Sequence, residues 1–345
     1  MRLHSFLALI LTLGISLSAL AEGSFVMLQY HHVSDSTPRS TTVTVKELQS
    51  HIDWLKKNRF DIKPLDVAIK ELKQGKYQNT DRIAVITIDD SYATFCDNGW
   101  PLLKEQNIPF TLFVTTTPVK ERHGSQCTMD QLKAMAKSDL AILANHSKTH
   151  PHMTDTSEFA SKDEWRKFIY EEISGAQDFL DKHFGPQPKL FAYPYGEYNQ
   201  EIQAIVEELG FIGLGQQSGA VGRHSDFLGL PRFPLSGRYA DLKTIPDKLL
   251  SLGFPAEFTV SSDNPVTRDS DQNPPTLTLQ LKEELPGWVN CFLGTGKPVE
   301  IKRSGQDIIV RHSEPLGTGR QRYNCTAASG ISGRFYWFSY QFLME

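Results

Sequence analysis

Two carboxylates stand side by side at the end of a stretch that has the composition of a buried strand. Residues 83–88 read Ile-Ala-Val-Ile-Thr-Ile, and Asp89 and Asp90 follow directly. A second apolar stretch, residues 140–144, precedes His146 and His150. One carboxylate can join two imidazoles as ligands of a divalent cation, while its neighbour stays free to act as a base. These residue types at these positions therefore predict a hydrolytic metal site.

Three alternative interpretations of these residues account for less of the pattern. Two histidines four positions apart recur by chance in loops, so that spacing alone is weak evidence. Two acids at the end of a buried strand are costly unless a cation compensates their charge, which favours the metal site. A zinc protease of the HExxH type is excluded because Ser147 stands where that motif needs glutamate. An iron site with two histidines and one carboxylate would leave Asp89 unexplained.

The elements that must position these residues alternate along the first part of the chain. The runs predicted to be strands are residues 25–30, 83–89, 110–114, 140–144, 190–193 and 211–214. Amphipathic helical patterns separate them, and one follows a capping box that begins at Thr44. This alternation predicts a parallel sheet, open or closed into a barrel. In both forms the carboxyl ends of the strands face the functional cleft, where Asp89, Asp90 and His146 stand.

The composition changes after residue 253. Residues 261–276 are rich in Asp, Asn, Ser and Pro, and short alternating apolar segments follow them. We therefore predict an α/β domain at residues 22–253 and a small all-β sandwich at residues 254–345. Aromatic residues in the second part could form a sugar-stacking face, although a sandwich core accounts for them more simply. They are Trp288, Tyr323, Tyr336, Trp337 and Tyr340.

The first 21 residues have the pattern of an export signal. Arg2 supplies a positive start, residues 6–17 are apolar, and residues 19–21 read Ala-Leu-Ala, like a cleavage site. That apolar run is too short to span a bilayer and no later segment is long enough. We therefore expect an exported protein without a transmembrane segment, in the periplasm or the medium. The net charge of −4 gives no indication of a nucleic-acid or anionic-membrane partner.

Four cysteines remain in a protein that is expected to reach an oxidising compartment, and they allow three pairings. We favour Cys96–Cys127 and Cys291–Cys325, because this pairing keeps each disulfide inside one predicted domain. The second disulfide could close the sandwich. No pair has CxxC spacing, which argues against redox catalysis.

Three motifs in order resemble those of one enzyme family. Residues 87–91, Thr-Ile-Asp-Asp-Ser, resemble the TFDDG motif of NodB-type polysaccharide deacetylases, carbohydrate esterase family 4. Residues 146–150 are similar to the family's HSxxH metal motif, and residues 191–196 resemble its third motif, RxPYG. Residues 27–32, Met-Leu-Gln-Tyr-His-His, resemble the first strand of exopolysaccharide deacetylases in this family. The resemblance covers approximately residues 25–250.

This resemblance implies a distorted (β/α) barrel that binds a divalent metal, usually zinc. Carried over to this sequence, it assigns Asp90, His146 and His150 as metal ligands. It assigns Asp89 as the general base that accepts a proton from the attacking water. It also assigns the backbone N–H of Tyr195, together with the metal, to the tetrahedral oxyanion. The products would be a free amine and acetate.

The sequence departs from the family pattern at two functional positions. The third-motif arginine, which orients the catalytic aspartate, is replaced by Ala192, and Arg232 could supply a guanidinium from another strand. The last-strand Leu-x-His that carries the general acid has no clear match, and His224 is the candidate for that role. Further histidines could line the cleft, namely His31, His32 and His152.

We expect a secreted hydrolase that removes N-acetyl groups from an amino-sugar polymer. Poly-N-acetylglucosamine is the first expectation, because residues 30–32 and 192–196 resemble exopolysaccharide deacetylases, and chitin-type and peptidoglycan glycans come next. An O-acetyl esterase acting on acetylated xylan would use the same site. A non-catalytic glycan-binding protein with a degenerate barrel is the alternative from another class, although binding alone needs no base beside a metal ligand. The sequence does not indicate an oligomeric state.

Overall fold

The computed structural model describes residues 23–345. The predicted signal peptide at residues 1–21 lies outside this range. Among the described residues, no helix is both long enough and apolar enough to cross a membrane.

The first part of the chain forms a mainly parallel sheet with helices between its strands. Its strands and the short strands beside it are β1 (Phe25–Tyr30), β2 (His32–Val33), β3 (Thr42–Val43), β4 (Asp61–Ile62), β5 (Ile83–Ile88), β6 (Phe110–Val114), β7 (Ala141–Asn145), β8 (Leu190–Ala192), β9 (Ile212–Leu214), β10 (Ala220–Val221) and β11 (Phe233–Pro234). The strand order is β10-β1-β5-β6-β7-β8-β9, and every pair from β1 to β9 is parallel. Antiparallel β10 lies outside β1.

The segment at residues 230–234 connects the two ends of this sheet. Leu230 forms a parallel bridge with Leu214 of β9, and Phe233 of β11 pairs with Leu28 of β1. The sheet therefore curls round until β9 and β1 share a neighbour, which confirms the predicted distorted (β/α) barrel. The distortion follows from the closure, because short contacts replace full strands at this point.

The helices pack their apolar faces on this sheet. They are α1 (Val45–Lys57), α2 (Leu65–Lys73), α3 (Trp100–Glu105), α4 (Thr116–Lys120), α5 (Met129–Ala136), α6 (Lys162–Phe184), α7 (Gln200–Glu208) and α8 (Ile245–Leu249). The capping box at the start of α1 is present, since Thr44 and Glu47 each accept the other's backbone N–H. Such a box satisfies two N–H groups that the helix leaves without partners. A π-helical turn, Phe95–Gly99, precedes α3.

The rest of the chain is a β-sandwich, as predicted. Its strands are β12 (Leu252–Gly253), β13 (Ala256–Val260), β14 (Leu277–Leu281), β15 (Val289–Leu293), β16 (Pro298–Ser304), β17 (Asp307–Arg311), β18 (Gly319–Ala328) and β19 (Phe335–Met344). They follow the order β12-β19-β18-β15-β16-β17-β14-β13. The start of β16 pairs with β15 and the remainder with β17, so the sheet folds over at β16. Both halves contribute to one apolar core.

The sandwich core contains most of the aromatic residues that the sequence left open as a sugar-binding face. Tyr323, Tyr336 and Tyr340 are buried, which supports the simpler interpretation. Trp337 packs edge-on against Phe233 of the barrel. Trp288 alone among the five is largely exposed.

Both favoured disulfides are present, Cys96–Cys127 and Cys291–Cys325. The second does not close the sandwich, as the sequence suggested it could. It joins directly paired residues of neighbouring strands β15 and β18, and therefore lies within one half of the folded sheet.

The barrel and the sandwich are joined by polar contacts as well as by the chain. The Arg334 guanidinium of the sandwich donates to the carbonyls of Asp81 and Leu250, each at 2.9 Å. The predicted boundary between residues 253 and 254 remains a prediction, and β12 lies immediately before it.

Candidate active site

Asp89 and Asp90 leave the carboxyl end of β5 in a strained turn. Asp90 has a φ of 69° and Ser91 a φ of 54°, a left-handed conformation that is uncommon for residues other than glycine. The turn is braced by the Ser91 carbonyl, which accepts from Cys127 N–H at 2.8 Å. Because the backbone reverses there, the two neighbouring carboxylates have different surroundings. Strain of this kind is held by the surrounding structure and is concentrated at functional sites.

Asp90 lies with His146 and His150 in one compact group. Asp90 Oδ1 is 3.1 Å from His146 Nε2 and 3.2 Å from His150 Nε2, and the three ligand atoms lie within 4.8 Å of one another. Ligand atoms that bind one tetrahedral zinc ion at about 2.0–2.1 Å would be about 3.3 Å apart. The spacing of these side chains therefore fits a shared divalent cation.

The imidazole of His146 is oriented as a metal ligand requires. Its Nδ1 is 2.7 Å from the carbonyl of Ala192, which fixes Nδ1 as the protonated nitrogen. Its buried Nε2 makes no well-formed hydrogen bond within residues 23–345 and faces the Asp90 carboxylate. An unprotonated Nε2 beside a carboxylate oxygen places two acceptors together, an arrangement that a cation would stabilise.

The loop that holds His150 is supported by a buried acid on α6. The carboxylate of Glu172 accepts the N–H groups of Lys148 and Thr149 at 3.0 and 2.8 Å. Asn145, at the end of β7, donates to the Ile173 carbonyl of the same helix at 2.8 Å. These bonds fix a loop in which His150 itself has a φ of 62°. The helix therefore sets the direction of the second imidazole.

Asp89 is paired with a different set of partners. Arg232 donates from Nη1 to Oδ1 at 2.6 Å and from Nη2 to Oδ2 at 2.8 Å, a bidentate pair, and both side chains are fully buried. Gln29 Nε2 donates to Oδ2 at 2.7 Å. A carboxylate offers about four lone-pair positions, so these three bonds orient Asp89 and leave room for one more donor. Arg232 thus lies where the sequence suggested it would substitute for the arginine replaced by Ala192.

The charges of the site stabilise the ionised form of both carboxylates. Burial raises the pKa of Asp89, but the Arg232 guanidinium together with His146 and His31 outweighs burial, and the pKa is lowered. Burial likewise opposes the ionisation of Asp90, yet His146 and His150 hold its pKa well below the ordinary value. For His146, burial lowers the pKa and the Asp90 carboxylate raises it, with a net increase. Asp89 is therefore ionised at neutral pH, as a base must be.

Tyr195 lies on the rim of this cluster, after β8. Its φ is 58°, and its ring packs edge-on against His150 with centroids 4.5 Å apart. His152 stacks on the Tyr195 ring with centroids 3.9 Å apart, and Glu197 accepts from His152 Nδ1 at 2.8 Å. His32 and Tyr92 form a second stacked pair. This pair also lies near Asp90: burial is the main cause of the raised pKa of Tyr92, and the Asp90 carboxylate raises it further.

His224 does not join the cluster. β10 is antiparallel to β1 and places Val221 beside Phe25, at the amino end of β1. Asp89 lies past the opposite end, six residues beyond Ile83, the partner of Phe25, or about 20 Å along the strand direction. His224 instead lines a cleft with Phe254 next to the sandwich. This corrects the expectation that His224 is the general acid; the local sequence did not reveal that β10, which precedes His224, runs toward the far end of the barrel.

His31, and not His224, lies next to Asp89 at the candidate site. Tyr30 pairs in register with Ile88, so His31 is level with Asp89 on the neighbouring strand. Paired residues of adjacent strands point to the same face, so both side chains face the inside of the barrel mouth. The pKa of His31 is lowered, first by burial, while Asp89 and Asp90 oppose that effect.

Two supporting residues were not singled out from the sequence. Gln29 interrupts the apolar strand β1, and Glu172 lies on the apolar face of α6 between Ile169 and Ile173. A polar residue inside an apolar pattern was the available signal in each case, since burial of such a group requires a partner.

Comparison with known proteins agrees with this geometry. Residues 76–213 match the family model for polysaccharide deacetylases. These residues form a polysaccharide deacetylase domain. The family that the sequence motifs resembled is thereby confirmed. The matched range includes Asp89, Asp90, His146 and His150, and it ends before Arg232 and before the sandwich.

Relatives of known name point to the same family. A poly-β-1,6-N-acetyl-D-glucosamine N-deacetylase of Staphylococcus aureus is 25% identical over 233 residues, which span 62% of this chain and 80% of that protein. A Bacillus subtilis protein named as a polysaccharide deacetylase is 26% identical over 211 residues, spanning 61% of this chain and 71% of its own.

Solved structures share the fold. A deacetylase of Streptococcus pyogenes, solved in complex with acetate, aligns with a TM-score of 0.56 at 20% identity and covers 62% of this chain and 93% of that one. IcaB of Ammonifex degensii aligns with a TM-score of 0.55 at 22% identity and covers 66% and 95%.

Proposed function

We propose that this chain is an exported, metal-dependent polysaccharide deacetylase that hydrolyses N-acetyl groups of an amino-sugar polymer. The observation that carries the proposal is that two adjacent carboxylates have different partners. Asp90 faces two imidazoles, whereas Asp89 is held by Arg232 and Gln29. A purely structural acid pair would not need two such different environments one residue apart.

Asp90, His146 and His150 would hold the cation, and zinc suits a site with two nitrogen ligands and one oxygen ligand. A bound zinc ion would act as a Lewis acid on the acetyl carbonyl and would make water a better nucleophile at neutral pH. The residues of this chain then have to supply the proton transfers and the remaining electrostatic stabilisation.

Asp89 is the proposed general base. It would accept one proton from the attacking water while the water oxygen bonds to the acetyl carbon. The bidentate Arg232 keeps the free lone pair of Asp89 pointing in one direction. The backbone N–H of Tyr195 would donate to the developing oxyanion, a role that needs the loop to be held in place before reaction.

His31 is the proposed proton donor in place of His224. The carbon–nitrogen bond breaks only if the departing nitrogen takes up a proton, and His31 faces the same space as Asp89. His31 would donate from its protonated form, which the neighbouring Asp89 and Asp90 carboxylates favour against the effect of burial on its pKa. The proton gained by Asp89 and the proton given by His31 balance, so the products are a free amine and acetate.

Poly-N-acetylglucosamine is the proposed substrate class, supported by the named activity of the S. aureus relative. The stacked pairs His32–Tyr92 and His152–Tyr195 provide flat surfaces beside Asp90 on which sugar rings could lie. A surface polymer also fits the export signal that we propose for residues 1–21.

The test is to incubate the zinc-loaded protein with poly-N-acetylglucosamine, chitin oligomers, peptidoglycan and acetylxylan, and to measure free amines and acetate separately. The His150→Ala variant serves as the control. Amines and acetate in equal amounts from an amino-sugar polymer, lost in the variant, would support the proposal. Acetate without amines would indicate an O-acetyl esterase. Glycan binding without any release would favour a non-catalytic binding protein.

A further inference from the structure

The loop that carries Tyr195 is held by residues of the sandwich, outside the matched family region. Tyr195 and Gly196 both have positive φ, 58° and 69°. For a tyrosine this conformation is strained and persists only if neighbouring groups impose it.

Arg320, at the start of β18, reaches this loop directly. Its Nη1 donates to the carbonyl of Tyr195 at 3.1 Å, and its Nε is 3.9 Å from the buried Glu197 carboxylate. Glu197 in turn accepts from His152, which stacks on the Tyr195 ring. One side chain of the sandwich therefore contacts both the backbone and the side-chain support of Tyr195.

Gln341 of β19 holds the next residue. Its Nε2 donates to the Gly196 carbonyl at 3.3 Å. Its Oε1 accepts from Arg322 at 2.8 Å and 3.1 Å, and this contact orients the amide so that its nitrogen faces the loop. Gln341 is buried, so the amide has no water to bond instead.

The far end of the loop is fixed in the same way. Asn264 Nδ2 donates to the Tyr198 carbonyl at 3.1 Å, and the Asp263 carboxylate accepts from the N–H of Gln200, the first residue of α7. Backbone groups of residues 195, 196, 198 and 200 thus form hydrogen bonds with side chains of the sandwich.

We infer that the C-terminal sandwich is a working part of the active site, in which Arg320 and Gln341 act as positioning residues for the Tyr195 loop. The expected effect of these residues on catalysis rests on the proposed function. Their anchoring of the loop can be measured independently of it. Arg320 and Gln341 touch no reacting atom in this arrangement. They act through Tyr195, whose N–H and ring lie at the cleft.

The experiment compares full-length wild type with Arg320→Ala, Arg320→Lys and Gln341→Ala. Hydrogen exchange of the peptide covering residues 193–200 measures the anchoring, and steady-state kinetics measure its effect on the reaction. Arg303→Ala, which removes an exposed arginine on β16 of the same sandwich, is the matched control. Zinc content and the unfolding midpoint are recorded for every variant.

We expect faster exchange at residues 193–200 and about a tenfold lower kcat with little change in KM for Arg320→Ala, because the lost interaction acts in the transition state. Gln341→Ala should show the same pattern. Arg320→Lys should recover part of both effects, since a lysine can still donate to the Tyr195 carbonyl. Zinc content should stay at the wild-type level.

Unchanged exchange in Arg320→Ala and Gln341→Ala would overturn the inference. So would faster exchange with wild-type kcat, or equal effects in Arg303→Ala. If wild type itself releases no acetate while Arg320→Ala still loosens the loop, the proposed function fails and the anchoring stands.

Discussion

Arg232 donates two hydrogen bonds to the carboxylate of Asp89, at 2.6 and 2.8 Å, across a separation of 143 residues in the chain. Neither side chain is exposed. The pair forms where residues 230–234 close the barrel between β9 and β1. The orientation of the proposed base therefore depends on the closure of the barrel.

Replacing Arg232 should therefore affect both reaction and stability. Arg232→Lys keeps the charge but loses the planar bidentate contact. We expect kcat to fall on the order of 10- to 100-fold, the value of one or two charged hydrogen bonds, with zinc content unchanged. Arg232→Ala should in addition unfold at lower denaturant, because it leaves a buried charge without its partner, at a cost of about 3–5 kcal/mol. Wild-type kcat in Arg232→Lys would show that the contact has no orienting role.

The proposed metal ligands can be tested by metal content alone. Purified His150→Ala and Asp90→Asn should retain less than about a tenth of the wild-type zinc after gel filtration, because two remaining ligands bind weakly. Elemental analysis gives the stoichiometry. His152→Ala, which removes a neighbouring histidine outside the ligand group, is the control and should keep its zinc. Full zinc occupancy in both ligand variants would remove these residues from the site.

The two histidine candidates for the proton donor make opposite predictions. His31→Gln should lower kcat on the order of 100-fold or more, the usual contribution of a general acid, without loss of zinc. His224→Ala should retain wild-type kcat, because it lies at the other end of the barrel. The measurement is kcat for amine release by both variants. A slow His224→Ala and a normal His31→Gln would reverse our assignment.

The start of α1 provides a prediction about pH. Arg39 pairs with Glu47, and this ion pair, with the Thr44 N–H, lowers the pKa of Glu47 from 4.5 to about 2 against the effect of burial. The unfolded chain takes up the proton first on acidification, so the stabilisation is complete above pH 4.5 and is lost as the pH falls toward 2.

Glu47→Gln keeps the capping geometry and removes only the charge. The pair is partly exposed, so we expect the variant to be less stable by roughly 0.3–1 kcal/mol near neutral pH. Urea denaturation of both proteins between neutral pH and about pH 3 should show the difference shrinking. A difference that is constant across this range would contradict the assignment of the stabilisation to the ion pair.

The local sequence was sufficient to predict the site residues that lie at the carboxyl ends of the parallel strands β5 and β7. Asp89, Asp90, His146 and His150 follow apolar runs, and parallel strands place their carboxyl ends at one edge. The Cys96–Cys127 and Cys291–Cys325 pairing was also predictable, because each disulfide joins segments close in the chain.

Residues fixed by long-range closure were harder to place. Arg232 could be named only as a substitute for the arginine missing at Ala192, and its contact depends on how the barrel closes. His224 was misplaced because nothing local shows that β10 runs antiparallel to β1.

The supporting contacts depend on tertiary structure in a different way. Gln29 and Glu172 were recognisable only as polar residues inside apolar patterns. The contact of Arg320 with the Tyr195 loop joins two domains, and no pattern within either one predicts it.

The most direct test of the proposed mechanism is the rate of amine release by Asp89→Asn, measured beside its zinc content. Because the substitution leaves the buried Arg232 without a charged partner, the double variant Asp89→Asn/Arg232→Met is measured as well, to remove both charges. We predict that both variants bind zinc as wild type does and that amine release from poly-N-acetylglucosamine falls by about 1,000-fold or more. Near-wild-type release by a folded, zinc-loaded Asp89→Asn would contradict the assignment of Asp89 as the base.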